Sequence, residues 1–382
     1  MVVLDACGCG ALPDAAEYGD EGTNTLAHLA DAVGGLELPA LERLGLGNVT
    51  ELRGVPPVEH PVVHGRLHPL GPGKDTTAGH WETMGVSAPS LPTYPDGFPP
   101  EVIEAFESAA GRPAICNRPL EGLRAIEEYG AEHVRTGALI LYTSQDSVFQ
   151  VAAHVGVVPR DELYRVCEAA RSILTGRHAV GRVIARPFEG GPEGFRRTAG
   201  RRDYALPPPG PNYVDLLAEA GVAVVAVGKV GQVFSGRGFA EERTAHDNPA
   251  AIAAIDALLV DMDSGLVFAN LVDTDQVYGH RKDVEGFHRA LREIDEAVAR
   301  WVAALGGDDL LVLCADHGCD PAHPGTDHTR EYAPLLAVFA DHDGRRADGP
   351  LASVGASVLR WITGAEADLP GDPFVAPAPA CA

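Results

Sequence analysis

Short apolar runs alternate along this chain with longer segments whose apolar and polar positions recur at helical spacing. The runs are VVL (2–4), ALILYTS (138–144), VAVVAVG (222–228), LVFANLVD (266–273), LLVLCAD (310–316) and APLLAVFA (333–340). They lack strict alternation and have β-branched residues among them, the pattern of strands buried on both faces of a parallel sheet. Between them, PRDELYRVCEAARSIL (159–174) opens with proline and acids, as the first turn of a helix does. DVEGFHRALREIDEAVARWVAAL (283–305) stops at Gly306-Gly307. This alternation predicts a doubly wound α/β core, a mostly parallel sheet flanked by helices.

Two proline-dense stretches, SAPSLPTYPDGFPP (87–100) and ALPPPGPNY (205–213), break the rhythm. Proline fixes φ and stiffens extended segments, so such runs act as connectors or as rigid surface loops. Two connectors bracketing about a hundred residues point to one module inserted into another. The tail PGDPFVAPAPACA, after Leu369, reads as a loosely ordered terminus.

Composition narrows the function. The 382 residues are 45% apolar and 22% charged, a globular balance with room for two domains. The 30 basic against 54 acidic residues give a formal charge of −24, which argues against nucleic-acid binding. An anionic substrate would need bound cations or a local basic pocket. The first apolar run breaks at Asp5, too early for a signal peptide, and no run is long enough to span a bilayer. The seven scattered cysteines read as reduced thiols, so a cytoplasmic protein is expected.

Three apolar runs end in metal-type ligands: Asp5, then Asp273 and Asp275, then Asp316-His317. Carboxylates gathered at the carboxyl edge of such a sheet repel one another, which a cation relieves. His280 follows Asp275 by five residues, beyond a regular helical turn, and His317, His323 and His328 crowd the loop after Asp316. Imidazole with carboxylate is a transition-metal set, so Mn²⁺ or Zn²⁺ suits it better than Mg²⁺. GPGKDTTAGHWETMG (71–85) is not a phosphate-binding P-loop; it reads as a glycine-rich turn entering a helix, with Thr76 as a nucleophile or merely a helix cap.

Six stretches carry a resemblance over almost the whole length: GALPDAAEYGDEGTNTL (10–26), GKDTTAGHWE (73–82), LYTSQDSV (141–148), VGRVIARPF (180–188), NLVDTDQVYGHR (270–281) and ADHGCDPAHPGTDHTREYAPLLA (315–337). Together they resemble bacterial phosphopentomutase, a branch of the alkaline phosphatase superfamily. The resemblance implies a metal-binding phosphoryl-transfer core at 1–88 and 208–382, with an inserted smaller α/β cap at 89–207. It implies that Thr76 is phosphorylated, that Asp5, Asp316 and His317 join it around one metal, and that Asp275, His280 and His328 hold a second. Asp273 becomes a supporting residue. Ser144, Asp146, Arg182 and Lys229 match the sugar-phosphate positions.

The implied cofactors are two divalent ions, usually Mn²⁺, and a priming sugar bisphosphate of the glucose 1,6-bisphosphate type. The implied reaction interconverts ribose 1-phosphate and ribose 5-phosphate, with their 2-deoxy counterparts, in a monomer. Two metals about 3.5–4 Å apart suit an in-line phosphoryl transfer. A phosphatase or phosphodiesterase on the same core, or a mutase for another sugar phosphate, would show the same metal ligands. A cofactor-independent phosphoglycerate mutase would be longer and use Ser at position 76. Departures from the family pattern are Ala6 after the first ligand, with Cys7 and Cys9 beyond it, and Cys319 where Asn commonly stands. Cys7, Cys9, Cys314 and Cys319 read as small apolar fillers, with a redox pair or a thiophilic ion site as the alternative.

Overall fold

A computed structural model of the chain describes residues 1–87, 91–144, 147–191 and 193–378. The chain divides into two compact units, Met1–Pro89 with Pro208–Ala382, and Ser90–Pro207.

The first unit is built on an eight-stranded sheet. Its order is Glu241–Arg243, Val224–Val227, Leu266–Leu271, Val2–Leu4, Leu311–Cys314, Ala333–Val338, Val63–His68 and Gly349–Pro350. The first five pair in parallel, and so do the last two. Ala333–Val338 runs antiparallel to both neighbours. It follows Leu311–Cys314 by a returning loop with no crossover helix, and without a crossover two adjacent strands must be antiparallel. The central strands Val2–Leu4, Val224–Val227 and Leu311–Cys314 are buried throughout, which is why they appear as unbroken apolar runs.

Helices cover the sheet by turning one apolar stripe inward. Val284–Ala304 buries Phe287, Leu291, Ile294, Val298 and Trp301, spaced three or four apart. Asp295 on the same helix is also buried, because its carboxylate accepts from the backbone N–H groups of Ala40 (3.0 Å) and Leu41 (2.8 Å). It thereby caps the helix Pro39–Leu44, whose own N-cap residue, Leu38, has no polar side chain. The tail is better tied than its composition suggested. Phe374 and Val375 are buried, the Phe374 N–H donates to Ser357 Oγ at 2.9 Å, and Ala378 N donates to Trp361 O at 3.1 Å.

The second unit has a mixed sheet in the order Ala114–Pro119, Leu139–Thr143, Val148–His154, Arg182–Gly191 and Gly194–Arg197, with Arg202–Ala205 also paired to Arg182–Gly191. Leu139 and Leu141 join one apolar cluster with Phe106, Phe149 and Val166, while Ile140 and Tyr142 join another with Ile126 and Phe188. Alternate residues of one strand thus feed cores on both faces. Among the described residues, no helix is long and apolar enough to cross a membrane.

Candidate metal centre

Four adjacent parallel strands of the first unit end at one edge, and each leads into a charged side chain. Val224–Val227 precedes Lys229, Leu266–Leu271 precedes Asp275, Val2–Leu4 precedes Asp5, and Leu311–Cys314 precedes Asp316 and His317. Parallel pairing aligns the carboxyl ends, so positions scattered through the sequence converge. Lys229 Nζ stands 2.6 Å from Asp5 Oδ2 and 3.9 Å from Asp275 Oδ2. His317 Nε2 lies 3.4 Å from Asp5 Oδ1 and 3.5 Å from Asp316 Oδ2. Just past Asp5, Ala6 takes a left-handed φ of 62° and donates its N–H to Asp316 Oδ1 at 3.2 Å. That conformation is uncommon outside glycine, and here it ties two strand ends together.

Thr76 is the first residue of the helix Thr76–Thr83, and it is not the cap. Asp75 is, accepting from Ala78 N at 3.1 Å. The Thr76 hydroxyl therefore remains available, and its Oγ1 lies 3.2 Å from both His317 Nε2 and Lys229 Nζ. His317 Nδ1 faces the Gly318 carbonyl at 3.1 Å, which assigns the ring proton to Nδ1 and leaves Nε2 as an acceptor for the hydroxyl. Lys229 can only donate, so Thr76 Oγ1 accepts from it. Gly79 permits this approach: a Cβ there would sit 2.4 Å from the Asp316 carbonyl oxygen and 2.6 Å from Asp316 Cβ.

Asp275 lies within a π-helical segment, Thr274–Gly279, and His280 directly follows it; the wide turn closes with His280 N donating to Asp275 O at 3.2 Å. Such turns occur often at functional sites, and this one explains the five-residue spacing. His280 Nε2 and His328 Nε2 both face Asp275 Oδ1, at 3.4 and 3.3 Å. Among the described residues, three overlapping groups have ligand atoms within 4.8 Å of one another: Asp5, Asp316 and His317; Asp275, His317 and His328; Asp275, His280 and Cys319.

The charges conflict. Burial, then Asp316, pushes the Asp5 carboxyl up against the pull of Lys229. Burial opposes ionisation of Asp316 as well, but His317 and His80 hold it well below the usual range. Asp275 is likewise held down, its burial outweighed by His328, His317 and Lys229. Burial lowers His317 to about 4, keeping it neutral. Burial works against the charged form of His328, but the Asp275 carboxylate 3.3 Å away outweighs it and raises His328 to about 9. Lys229 is also raised, the three aspartates outweighing its burial.

Two residues of this site escaped the sequence reading. His80 is fully buried, its Nδ1 2.9 Å from the Thr76 carbonyl and 3.1 Å from Asp316 Oδ2. Asn270 Nδ2 donates to Asp5 Oδ2 at 3.0 Å and lies 3.1 Å from His80 Nε2, so His80 Nε2 accepts and the proton sits on Nδ1, directed at Thr76 O. The spacing of His80 four residues after Thr76, on one helical face, was the available signal.

His323 and Asp273 make other contacts. His323 joins none of the donor groups; its Nε2 is 2.9 Å from Gly19 O. Asp273 Oδ2 accepts from the Asn248 N–H, and Asn248 Oδ1 accepts from the Asp273 N–H, each at 3.0 Å. Lys229 belongs to the first unit, with its ammonium among the aspartates. In the second unit Ser144 follows the strand Leu139–Thr143, and Arg182 Nη1 is 3.7 Å from Asp203 Oδ2. Asp146 lies outside the described residues.

The donor atoms suit divalent cations. Asp5 Oδ1, Asp275 Oδ1, Asp316 Oδ2 and His328 Nε2 are all buried without a hydrogen-bond partner, an expensive arrangement that metal ligation satisfies. Residues 1–364 match the Metalloenzyme superfamily. The chain is 51% identical over 338 residues to the phosphopentomutase of Caldanaerobacter subterraneus subsp. tengcongensis, covering 88% of this chain and 86% of that one. Identity to the Carboxydothermus hydrogenoformans phosphopentomutase is 50% over 339 residues, 88% of this chain and 87% of the relative. For that of Anaeromyxobacter sp. (strain K) it is 50% over 382 residues, 98% and 97%. The chain belongs to the phosphopentomutase family. The α/β core is accordingly of the alkaline phosphatase type.

Proposed function

We propose that the chain is a phosphopentomutase that interconverts ribose 1-phosphate and ribose 5-phosphate, and the 2-deoxyribose pair, with Thr76 as phosphoryl carrier. The observation that carries this reading is the Thr76 hydroxyl at a helix N-terminus, 3.2 Å from both His317 Nε2 and Lys229 Nζ, beside the three overlapping groups of metal-type donors.

Asp5, Asp316 and His317 would hold one divalent ion with Thr76, and Asp275, His280 and His328 the other; Mn²⁺ is the ion proposed. When bound, the ions supply Lewis-acid stabilisation of the phosphoryl and threonine oxygens. The remaining work falls to the chain. Phospho-Thr76 gives its phosphoryl group to the free hydroxyl of an incoming pentose monophosphate. The bond from phosphorus to Thr76 Oγ1 breaks, the bond to the sugar oxygen forms, and the sugar's hydroxyl proton ends on the threonine oxygen. The resulting bisphosphate returns its other phosphoryl group to Thr76. Lys229 steadies negative charge on Oγ1, and the helix N-terminus favours the added phosphate charge. His80 fixes the Thr76 backbone through its carbonyl. Ser144, Asp146, Arg182 and Lys229 would bind the sugar phosphate, Arg182 through a bidentate fork. A sugar bisphosphate would phosphorylate Thr76 at the start.

The test is incubation with ribose 5-phosphate, Mn²⁺ and a catalytic amount of glucose 1,6-bisphosphate. Formation of ribose 1-phosphate supports the proposal. Free phosphate and ribose as the main products would instead make the chain a phosphatase.

A further inference from the structure

Two stretches that carry the family resemblance, 10–26 and the end of 315–337 beyond His328, supply no residue to the assignment above. In the fold they meet around one side chain, Arg330, which is 5% exposed. Its guanidinium is divided between two partners. Nη1 donates to the carbonyls of Gly71, at 2.9 Å, and Gly73, at 2.8 Å. Nε and Nη2 donate to the Asp14 carboxylate, at 3.2 and 2.8 Å. The Tyr18 ring centre lies 4.9 Å from Arg330 Cζ.

Gly71 and Gly73 belong to the turn that delivers the chain to Thr76, and that turn is held from two sides. On one side the buried Glu82, from the helix Thr76–Thr83, accepts from the N–H groups of Leu70 and Gly71, the latter at 2.6 Å. On the other side Arg330 takes the carbonyls. The buried Asp20 accepts from the Arg330 backbone N–H and from Lys74 Nζ, both at 2.8 Å, so the residue two before Thr76 is tied to the same point. Glycine leaves its backbone free, and Gly73 admits nothing larger, since a Cβ there would sit 2.2 Å from Ala78 Cβ. The turn therefore takes its stiffness from bonds made to it. For packing alone an apolar side chain would serve as well as a buried guanidinium and without its desolvation cost.

We propose that Arg330, anchored on Asp14, is a positioning residue for the Thr76 nucleophile. By fixing the carbonyls of Gly71 and Gly73 it sets where Thr76 Oγ1 stands relative to His317 and Lys229. It acts through the turn and not on the sugar. The inference rests on the phosphothreonine reading given above.

Arg330→Lys tests it, because lysine keeps the charge but, as a point donor, cannot span the two carbonyls and Asp14 as the guanidinium fork does. Phosphorylation of Thr76 by glucose 1,6-bisphosphate is timed in a single turnover on the Mn²⁺-loaded natural and variant chains. The temperature is one at which unfolding curves show both folded, and kcat and KM for ribose 5-phosphate are measured beside it. The phosphorylation rate and kcat should both fall by about 100-fold, the cost of a shift of about 1 Å, with KM and bound manganese unchanged. A side chain that only stabilised the fold would lower the unfolding midpoint and leave the rates of the folded variant as they were. Unchanged rates, a rise in KM alone, or a loss of manganese that accounts for the fall overturns the proposal.

Asp14→Ala is the second variant, at the more exposed partner, and it decides the matter if Arg330→Lys does not fold. It takes away the anchor and leaves Arg330 in place, so the same two rates should fall, by less, with KM again unchanged. An unchanged phosphorylation rate in Asp14→Ala overturns the proposal too. A natural chain that takes no phosphoryl group on Thr76 sinks the phosphothreonine reading and this inference with it. A natural chain labelled at Thr76 beside equally fast variants sinks the inference alone.

Discussion

His80 offers a perturbation whose structural and functional effects separate. His80→Ala removes a hydrogen bond to the Thr76 carbonyl, a net loss of about 0.5–1.5 kcal/mol. It also empties the space of a fully buried ring stacked on Phe268 at 5.9 Å, and large-to-small changes in a packed interior cost about 2–5 kcal/mol. The metal-free variant should therefore lose about 2.5–6.5 kcal/mol of stability. A further loss should appear only when metal is present. His80 Nδ1 lies 3.1 Å from Asp316 Oδ2, and its Nε2 steadies the Asn270 amide that holds Asp5. Removing such a support lowers metal affinity by about 10–100-fold, which is about 1.4–2.7 kcal/mol. Denaturant unfolding in excess chelator and again in saturating Mn²⁺ reads both terms, because at saturation the stabilisations differ by RT times the logarithm of the affinity ratio. A gap between natural and variant protein that is the same in both conditions, within about 0.5 kcal/mol, would reduce His80 to a packing residue and refute the reasoning.

Gly79→Ala should displace Thr76 from its partners, since the new Cβ would meet the Asp316 backbone at 2.4 Å. A shift of about 1 Å can cost about 100-fold in turnover, so kcat should fall by that order while circular dichroism stays native; an unchanged kcat would contradict the close-packing argument. Asp295→Ala should cost about 2–5 kcal/mol by leaving two buried N–H groups unpaired, with metal affinity unchanged, as chemical denaturation and metal titration would check. In the metal-free protein His328 titrates at about 9, above its usual value of about 6.5. Its contribution to stability is thus full below pH 6.5, declines from there and is gone above pH 9, whereas metal affinity rises across the same window as the proton to be displaced is lost. Calorimetry near pH 7.5 in buffers of differing ionisation enthalpy should show proton release on Mn²⁺ binding, and His328→Asn should show less.

Much of the site was legible because of where its residues stand. Asp5, Asp275 and Asp316 each follow an apolar run, and a buried strand that ends in a carboxylate shows its edge in the sequence. The spacing of His280 became intelligible as a π-turn. Asp75 took the capping role left open for Thr76, in keeping with the preference for Asp at N-caps. Less accessible were residues whose chemistry is hidden by ordinary surroundings. Asn270 sits within LVFANLVD and passes for a polar residue in a strand, and His80 passes for one more residue of a short helix. The direction of Ala333–Val338 was also hidden, since an all-apolar run looks the same parallel or antiparallel. Lys229, matched to a sugar-phosphate role, places its ammonium 2.6 Å from Asp5, a contact that only the alignment of strand ends makes visible.

The central claim is that Thr76 carries the phosphoryl group. The most direct measurement is peptide mass mapping of the Mn²⁺-loaded chain after glucose 1,6-bisphosphate, before and after ribose 5-phosphate is added. One phosphoryl group on Thr76, removed by ribose 5-phosphate with formation of sugar bisphosphate and absent from Thr76→Ala, is the predicted result. Phosphorylation at another residue, or substantial mutase turnover by Thr76→Ala, would contradict it.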